Sequence, residues 1–213
     1  MFTGIIEEIG VVESFLKQSG MIELRIKAAK VLEGTKIGDS IAVNGICLTV
    51  TNVDSHSFTA DVMPVTLDKS SLKDVREGGR VNLERALQLQ TRLGGHMVSG
   101  HIDGVGIVTR VERRENAMLY TISSDSKVMN YLIPEGSIAV DGVSLTVAEL
   151  RDQSFVVSLI PTTLSDTILQ DKHSGDRVNL ESDIIGKYVW HFQSRGSNSN
   201  GISAAFLAEN GFL

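Results

Sequence analysis

The chain carries the same pattern twice. Val43-Asn-Gly-Ile-Cys-Leu-Thr-Val50 returns as Val140-Asp-Gly-Val-Ser-Leu-Thr-Val147, and Glu77-Gly-Gly-Arg-Val-Asn-Leu-Glu84 returns as Ser174-Gly-Asp-Arg-Val-Asn-Leu-Glu181, each 97 positions on. Phe58–Leu67 and Phe155–Leu164 keep that spacing, with Pro64 over Pro161 and Thr66 over Thr163. The opening Met1-Phe-Thr-Gly-Ile-Ile6 corresponds to Met97-Val-Ser-Gly-His-Ile102 at a spacing of 96. Blocks that recur in one order and one register describe a duplicated unit, and two copies are too few for a solenoid. The 213 residues therefore divide into two self-contained domains, 1–96 and 97–187, followed by a tail, 188–213, that has no counterpart.

Within a copy the pattern is that of strands. Ile22, Leu24, Ile26 and Ala28 alternate with Glu23, Arg25 and Lys27, and Met118, Tyr120 and Ile122 repeat the period of two in the second copy. Asn44-Gly45 and Asp141-Gly142 are tight-turn dipeptides, because both residue types tolerate positive φ. They predict hairpins between Ser40–Val43 and Ile46–Val50, and between Ser137–Val140 and Val143–Val147. Short strands broken by turns every few residues predict an all-β chain of two small barrels. Helix is expected only at Lys127–Leu132, capped by Ser126, and at Ile202–Glu209, behind a Ser/Gly/Asn linker over Ser194–Gly201. A terminal helix that short is marginal alone: either it finds a partner surface, most simply the same helix of other copies, or the terminus frays.

Composition narrows the function classes. A net charge of −6, with Lys and Arg concentrated only at Arg110–Arg114 and interrupted there by Glu112, argues against nucleic acid. No apolar run reaches the roughly 18 residues of a membrane span, and Met1–Glu8 lacks the basic and apolar regions of a signal peptide. A soluble, cytoplasmic protein is expected. The single cysteine, Cys47, excludes an intrachain disulfide and a multi-cysteine zinc site. A metal held by Cys47, His96 and His101 would lack a fourth ligand and any standard spacing, so no metal is expected. A Cys–His nucleophilic pair likewise lacks a local signature and an orienting group.

Disagreements between the copies point to chemistry. Strand alternation puts Cys47 and Thr49 on one face and Leu48 and Val50 on the other; Ser144 and Thr146 occupy the equivalent polar face. A polar pair opposite an apolar pair is the pattern of a ligand wall behind a packed core, and equally that of small strand residues on a solvated face. Cys47 becomes Ser144, Asn44 becomes Asp141, Ile5 becomes His101, and Ser40 is matched by Ser137. His96 and His101 flank a glycine-rich junction, Gly94-Gly-His-Met-Val-Ser-Gly-His101, where backbone can approach a ligand closely.

Taken in order, the start Met1-Phe-Thr-Gly-Ile, the two hairpins, the junction and the ending Glu209-Asn-Gly-Phe212 resemble the riboflavin synthase family of duplicated lumazine-binding barrels, over essentially the whole chain. The resemblance implies two six-stranded Greek-key barrels and a C-terminal helix that assembles a homotrimer. It implies a transferase that needs no cofactor and converts two molecules of 6,7-dimethyl-8-ribityllumazine into riboflavin and 5-amino-6-ribitylaminouracil by four-carbon transfer. Association with lumazine synthase is a further partner it suggests.

The same resemblance assigns catalytic candidates: Ser40, Cys47 and Thr49 in the first barrel with Phe2 and His96 nearby, and His101, Asp141, Ser144 and Thr146 in the second. His101 is the first choice for proton transfer, since imidazole titrates near working pH. Ring and ribityl contacts are expected from Gly4, Ile5 and Ile6, and from Gly100, His101 and Ile102. Leu48 and Leu145 flank the catalytic positions on their strands. The segments Asp61, Val62, Met63, Pro64, Val65, Thr66 and Ser158, Leu159, Ile160, Pro161, Thr162, Thr163 complete the two sets, with Glu135 before the second hairpin. Val65 and Thr162 stand where the family commonly has Glu, and Glu135 where it commonly has Lys. The rival reading is a lumazine or flavin antenna protein, in which the polar positions of one copy would have degraded.

Overall fold

Alternating side chains close each copy into a barrel. In the computed structural model, which describes residues 1–18, 20–196, 208, 210 and 211, the first copy contains β1 (Glu8–Gln18), β2 (Met21–Lys27), β3 (Ser40–Val43), β4 (Ile46–Val53), β5 (Ser57–Val62) and β6 (Arg80–Arg85). They pair antiparallel in the closed order β1-β2-β5-β4-β3-β6. A short helix α1 (Pro64–Asp68) follows β5. The second copy repeats the plan with β7 (Gly104–Arg114), β8 (Ala117–Ser123), the one-turn α2 (Ser126–Met129), β9 (Ser137–Val140), β10 (Val143–Leu150), β11 (Ser154–Leu159), α3 (Pro161–Ser165) and β12 (Arg177–Ser182). Its closed order, β7-β8-β11-β10-β9-β12, is the same topology.

The inward faces are apolar and matched between copies. Ile41, Leu48, Val50, Phe58 and Leu83 fill the first core; Ile138, Leu145, Val147, Phe155 and Leu180 fill the second. Closure leaves no unpaired edge, and each barrel needs no ligand inside it. Binding surfaces must therefore lie on the outer faces.

The two hairpin turns meet at the junction. Asn44 and Asp141 take φ of 46° and 45°, followed by Gly45 and Gly142 at 79° and 81°, as a two-residue turn between right-twisted strands requires. A Cβ on Gly45 would sit 2.8 Å from the Gly142 nitrogen, so the turns touch backbone to backbone. Asn82 donates from Nδ2 to the Asp141 carbonyl (2.9 Å) and accepts from the Ile168 nitrogen (2.8 Å). Asn179 mirrors it, donating to the Asn44 carbonyl (2.9 Å) and accepting from the Ser71 nitrogen (2.7 Å). The repeated Val-Asn-Leu-Glu block thus supplies a reciprocal clasp in which every buried amide group is satisfied.

Two helical expectations change. The N-cap of α2 is Asp125, which accepts from the Lys127 nitrogen at 3.1 Å, and regular helix ends at Met129, beyond which Tyr131 and Leu132 donate to the Val128 and Met129 carbonyls (3.1 and 3.2 Å) in tighter, three-residue turns. Ser194 to Gly196 are not linker: they belong to α4 (Ile184–Gly196), which crosses position 188 without a break. Asp183 caps this helix through the Ile185 nitrogen (2.9 Å), and Ile185, Tyr188, Val189 and Phe192 recur at helical spacing. The expected helix Ile202–Glu209 and the rest of the linker lie outside the described residues, Ala208 excepted, which is helical.

Candidate active site

The outer face of β4 carries Cys47 and Thr49 while Ile46, Leu48 and Val50 point inward; β10 does the same with Ser144 and Thr146 outward. Ser40 lies opposite Thr49 across the ladder, and Ser137 opposite Thr146. These faces are completed in a way the repeat does not announce. The Cys47 nitrogen donates to the Gly100 carbonyl at 2.9 Å, and the Ser144 nitrogen donates to the Gly4 carbonyl at 2.7 Å. Each barrel's opening segment therefore lies on the other barrel's wall. Ile102 packs on the first core and Ile6 on the second. The segments also bridge each other through Phe2 and Val98, whose nitrogen–oxygen distances are 2.7 and 3.1 Å.

Glycine is required where the segments cross. Gly4 and Gly100 take φ of 76° and 85°, and a Cβ there would lie 2.6 Å from Ser144 Cβ and 2.5 Å from Cys47 Cβ respectively. Either contact would push the segment off its wall.

His101 consequently belongs with Cys47 rather than with Ser144. A groove of about 230 Å³ gathers Cys47, Thr66, Lys69, Gly100, His101 and Ile102. Thr66 reaches it because Pro64 starts α1 immediately after β5. His96, expected beside the first barrel, instead meets the second: its Nδ1 is 2.7 Å from Ser144 Oγ and its backbone nitrogen donates to Thr3. Its Nε2 is buried without a hydrogen-bond partner among the described residues. Loss of solvent holds the His96 pKa below the ordinary imidazole value, against the opposing pull of Asp183 and Glu181. Folding therefore favours neutral His96. Its contribution is complete above the unfolded value of about 6.5 and is lost as pH falls through the lower folded value. Urea titrations below pH ~6.5 are expected to show wild-type stability falling more steeply than that of His96→Gln; parallel curves would remove His96 as the titrating group.

Other expected positions separate. Asp141 is fully buried at the junction and does not join Ser144 on the wall. Its Oδ1 accepts from the Asn179 nitrogen at 2.8 Å, and its Oδ2 faces Lys172 Nζ at 3.1 Å, a close ion pair but poorly aligned as a hydrogen bond. Phe2 is also fully buried, against Ala42, Val98 and Ala139 with Cys47 alongside. Leu48, Val62, Leu145 and Leu159 point into the cores, so they leave only backbone on the outer faces. Asp61, Met63, Pro64 and Val65 are exposed around the first wall, and Ser158, Ile160, Pro161 and Thr162 around the second, with Thr163 matching Thr66. Ile5 is exposed where the second copy has His101. Glu135 takes φ of 62° where its counterpart Gly38 takes 94°, and its side chain is exposed. A larger cleft of about 560 Å³ lies between the barrels beside Asn44, but its Arg80 and Arg177 are paired with Asp171 (2.7 Å) and Asp74 (3.5 Å).

The sequence reading missed Glu84 and Glu181. Both are buried, and both grip an opening segment. Glu84 accepts from Thr3 N and Oγ1 (2.6 Å each) and Gly4 N (3.0 Å). Glu181 accepts from Ser99 N and Oγ (2.6 Å each), Gly100 N (2.9 Å) and His101 N (3.1 Å). Their only signal was the recurrence of Glu at the end of the Val-Asn-Leu-Glu block.

The lumazine binding domain matches residues 3–86 and again 99–183. The riboflavin synthase of Bacillus subtilis (strain 168) is 49% identical to this chain, covering all of both. The chain belongs to the riboflavin synthase family. The riboflavin synthase of Mycobacterium tuberculosis (strain ATCC 25618 / H37Rv) is 48% identical over 89% of this chain and 96% of its own length. Among solved structures, LumP complexed with 6,7-dimethyl-8-(1'-D-ribityl) lumazine superposes with a TM-score of 0.77 at 25% identity, covering 85% of this chain and 99% of that one. LumP complexed with riboflavin gives 0.78 at 26% over the same shares. Among the described residues no cluster of three His, Cys, Asp or Glu could hold a metal ion, and no helix is long and apolar enough to cross a membrane.

Proposed function

We propose that the chain catalyses the final step of riboflavin biosynthesis: dismutation of two 6,7-dimethyl-8-ribityllumazine molecules to riboflavin and 5-amino-6-ribitylaminouracil, by transfer of a four-carbon unit and without a cofactor. The observation that carries this reading is the presence of two ligand walls of one design but different chemistry. Cys47, Thr66 and His101 meet on one, and Ser144 with His96 on the other. A reaction between two copies of one substrate needs two similar sites. It also needs unlike groups, because one molecule loses a proton from its C7 methyl while the other accepts a nucleophile at C7. In this proposal residues 1–96 and 97–187 each bind one lumazine, and His101 moves the proton on the first wall. Holding the two rings in near-attack geometry can contribute about 7–11 kcal/mol.

The same reading includes assembly. The groove at Cys47, about 230 Å³, is smaller than the roughly 300–1,000 Å³ of ordinary ligand pockets, so a second wall from another subunit suits it. Ile185, Tyr188, Val189 and Phe192 of α4 are more than half exposed, and an apolar face of that kind is suited to a partner surface. We propose a homotrimer built through residues 188–213, located in the cytoplasm, with association with lumazine synthase as a further partner.

The test is direct. Purified protein incubated with 6,7-dimethyl-8-ribityllumazine alone is expected to form riboflavin, followed by its absorbance, with one riboflavin for every two lumazines consumed. Tight fluorescent binding without turnover would replace this reading with that of an antenna protein.

A further inference from the structure

Ser99 and Glu181 connect the repeat that defines the fold to the imidazole that the proposed function employs. Ser99 Oγ donates to Glu181 Oε1 at 2.6 Å and lies 3.2 Å from His101 Nδ1. Four donors converge on the Glu181 carboxylate: two hydrogens from Ser99 and the nitrogens of Gly100 and His101. It serves there as an acceptor only. A serine hydroxyl has one proton, and Ser99 spends it on Glu181. Toward His101 it can only accept. Nδ1 must then carry the imidazole hydrogen, and Nε2 is left as a bare lone pair.

We infer that Glu181 and Ser99 are positioning residues that fix His101 in the Nδ1–H tautomer, so that Nε2 is the proton-accepting atom in the Cys47 groove. The inference rests on the proposed role of His101 and adds which nitrogen acts and what selects it. Isolated neutral histidine prefers the opposite, Nε2–H, tautomer, so the selection is a property of this site.

The first copy serves as an internal comparison. Thr3 occupies the place of Ser99 and donates to Glu84 at 2.6 Å, and its oxygen accepts from the Ile5 nitrogen at 3.1 Å. The hydroxyl–carboxylate pair is therefore shared equipment for holding an opening segment. Only the second copy ends it on an imidazole, with the His101 backbone nitrogen moved onto Glu181 Oε2. That shift frees the hydroxyl lone pair for Nδ1.

The Nε2 lone pair takes a proton from the C7 methyl of the bound lumazine; the C–H electron pair passes into the conjugated ring, leaving an exocyclic methylene. The imidazole becomes an imidazolium whose Nδ1–H still faces Ser99, with the Glu181 carboxylate behind it. Return of the Nε2 proton at a later step restores the starting state.

The experiment combines nitrogen NMR with kinetics on the full-length protein. With 15N-histidine labelling, and His101 assigned by comparison with His101→Gln, the wild type is expected to show Nδ1 protonated and Nε2 bare at a pH where the ring is neutral. Ser99→Ala is expected to shift the ring toward Nε2–H and to lower kcat about tenfold or more while KM for lumazine changes less than twofold. Ser99→Thr, which imports the residue of the first copy, is expected to restore both. A wild-type His101 protonated at Nε2 would overturn the inference. So would a Ser99→Ala enzyme with unchanged kcat, or one whose loss lies in KM and stability with the tautomer unmoved. If the wild type forms no riboflavin the proposed reaction fails instead, and the tautomer measurement still decides the relay.

Discussion

His101→Ala is expected to lower kcat for riboflavin formation by about 10²- to 10⁴-fold, the range in which a positioned acid–base group contributes. Three observations make the result interpretable. His101 is the single imidazole among the groove residues Ile46, Cys47, Val65, Thr66, Lys69, Ser70, Gly100 and Ile102. Its side chain is exposed, so its removal opens no core cavity and should change stability by no more than about 0.5 kcal/mol. Its segment is held through backbone groups by Glu181 and Cys47, which alanine leaves in place. Lumazine binding to both walls should therefore persist, and fluorescence titration measures it separately from turnover. A His101→Ala enzyme with near-normal kcat would move the proton transfer to another group, and Cys47, Thr66 and Lys69 are the neighbours to examine next.

Much of this architecture was legible in the residues, and the exceptions have physical causes. Recurrence at one spacing, with period-two alternation in each copy, was sufficient for two barrels, because alternation decides which face is buried. The same rule placed Cys47 and Thr49 outward with Leu48 inward, as observed. What could not be read was which wall each opening segment completes. The pairs Gly4–Ser144 and Gly100–Cys47 are long-range, and in a duplicated chain the self-contained and crossed arrangements have the same composition and local pattern. His101 was accordingly grouped with Ser144, and His96 with the first barrel. Asp141 was grouped with Ser144 by the family resemblance, at a position where the copies differ, yet a turn residue is aimed by the turn and not by the strand. The helix α4 was missed although Ile185, Tyr188, Val189 and Phe192 carry its period; the polar run after Phe192 drew the boundary too early.

Lys172→Val is expected to destabilise the protein by about 3 kcal/mol near neutral pH, since it strips a buried carboxylate of its counter-charge. The two copies hold the same turn in two ways. In the first, Asn44 Oδ1 accepts from the Asn82 nitrogen at 2.7 Å, and Val75 occupies the position equivalent to Lys172. In the second, Asp141 Oδ1 makes the same bond at 2.8 Å, and its charge is met by Lys172, whose Nζ also donates to the Arg177 carbonyl at 2.8 Å. Burial holds the Asp141 carboxyl above its ordinary value, with Lys172 pulling it back down. A group raised in the folded state contributes stability that is complete below its unfolded value, about 3.9, and is lost as pH rises through the folded one. Removing Lys172 raises the folded value further, so the penalty should be small near pH ~4 and widen toward neutrality. Urea titrations across that range measure it. A penalty of constant size would assign the effect to lost packing of the lysine stem and not to charge. The double variant Asp141→Asn with Lys172→Val transplants the neutral solution of the first copy. It should recover most of the loss, because an amide oxygen keeps the turn bond and needs no cation.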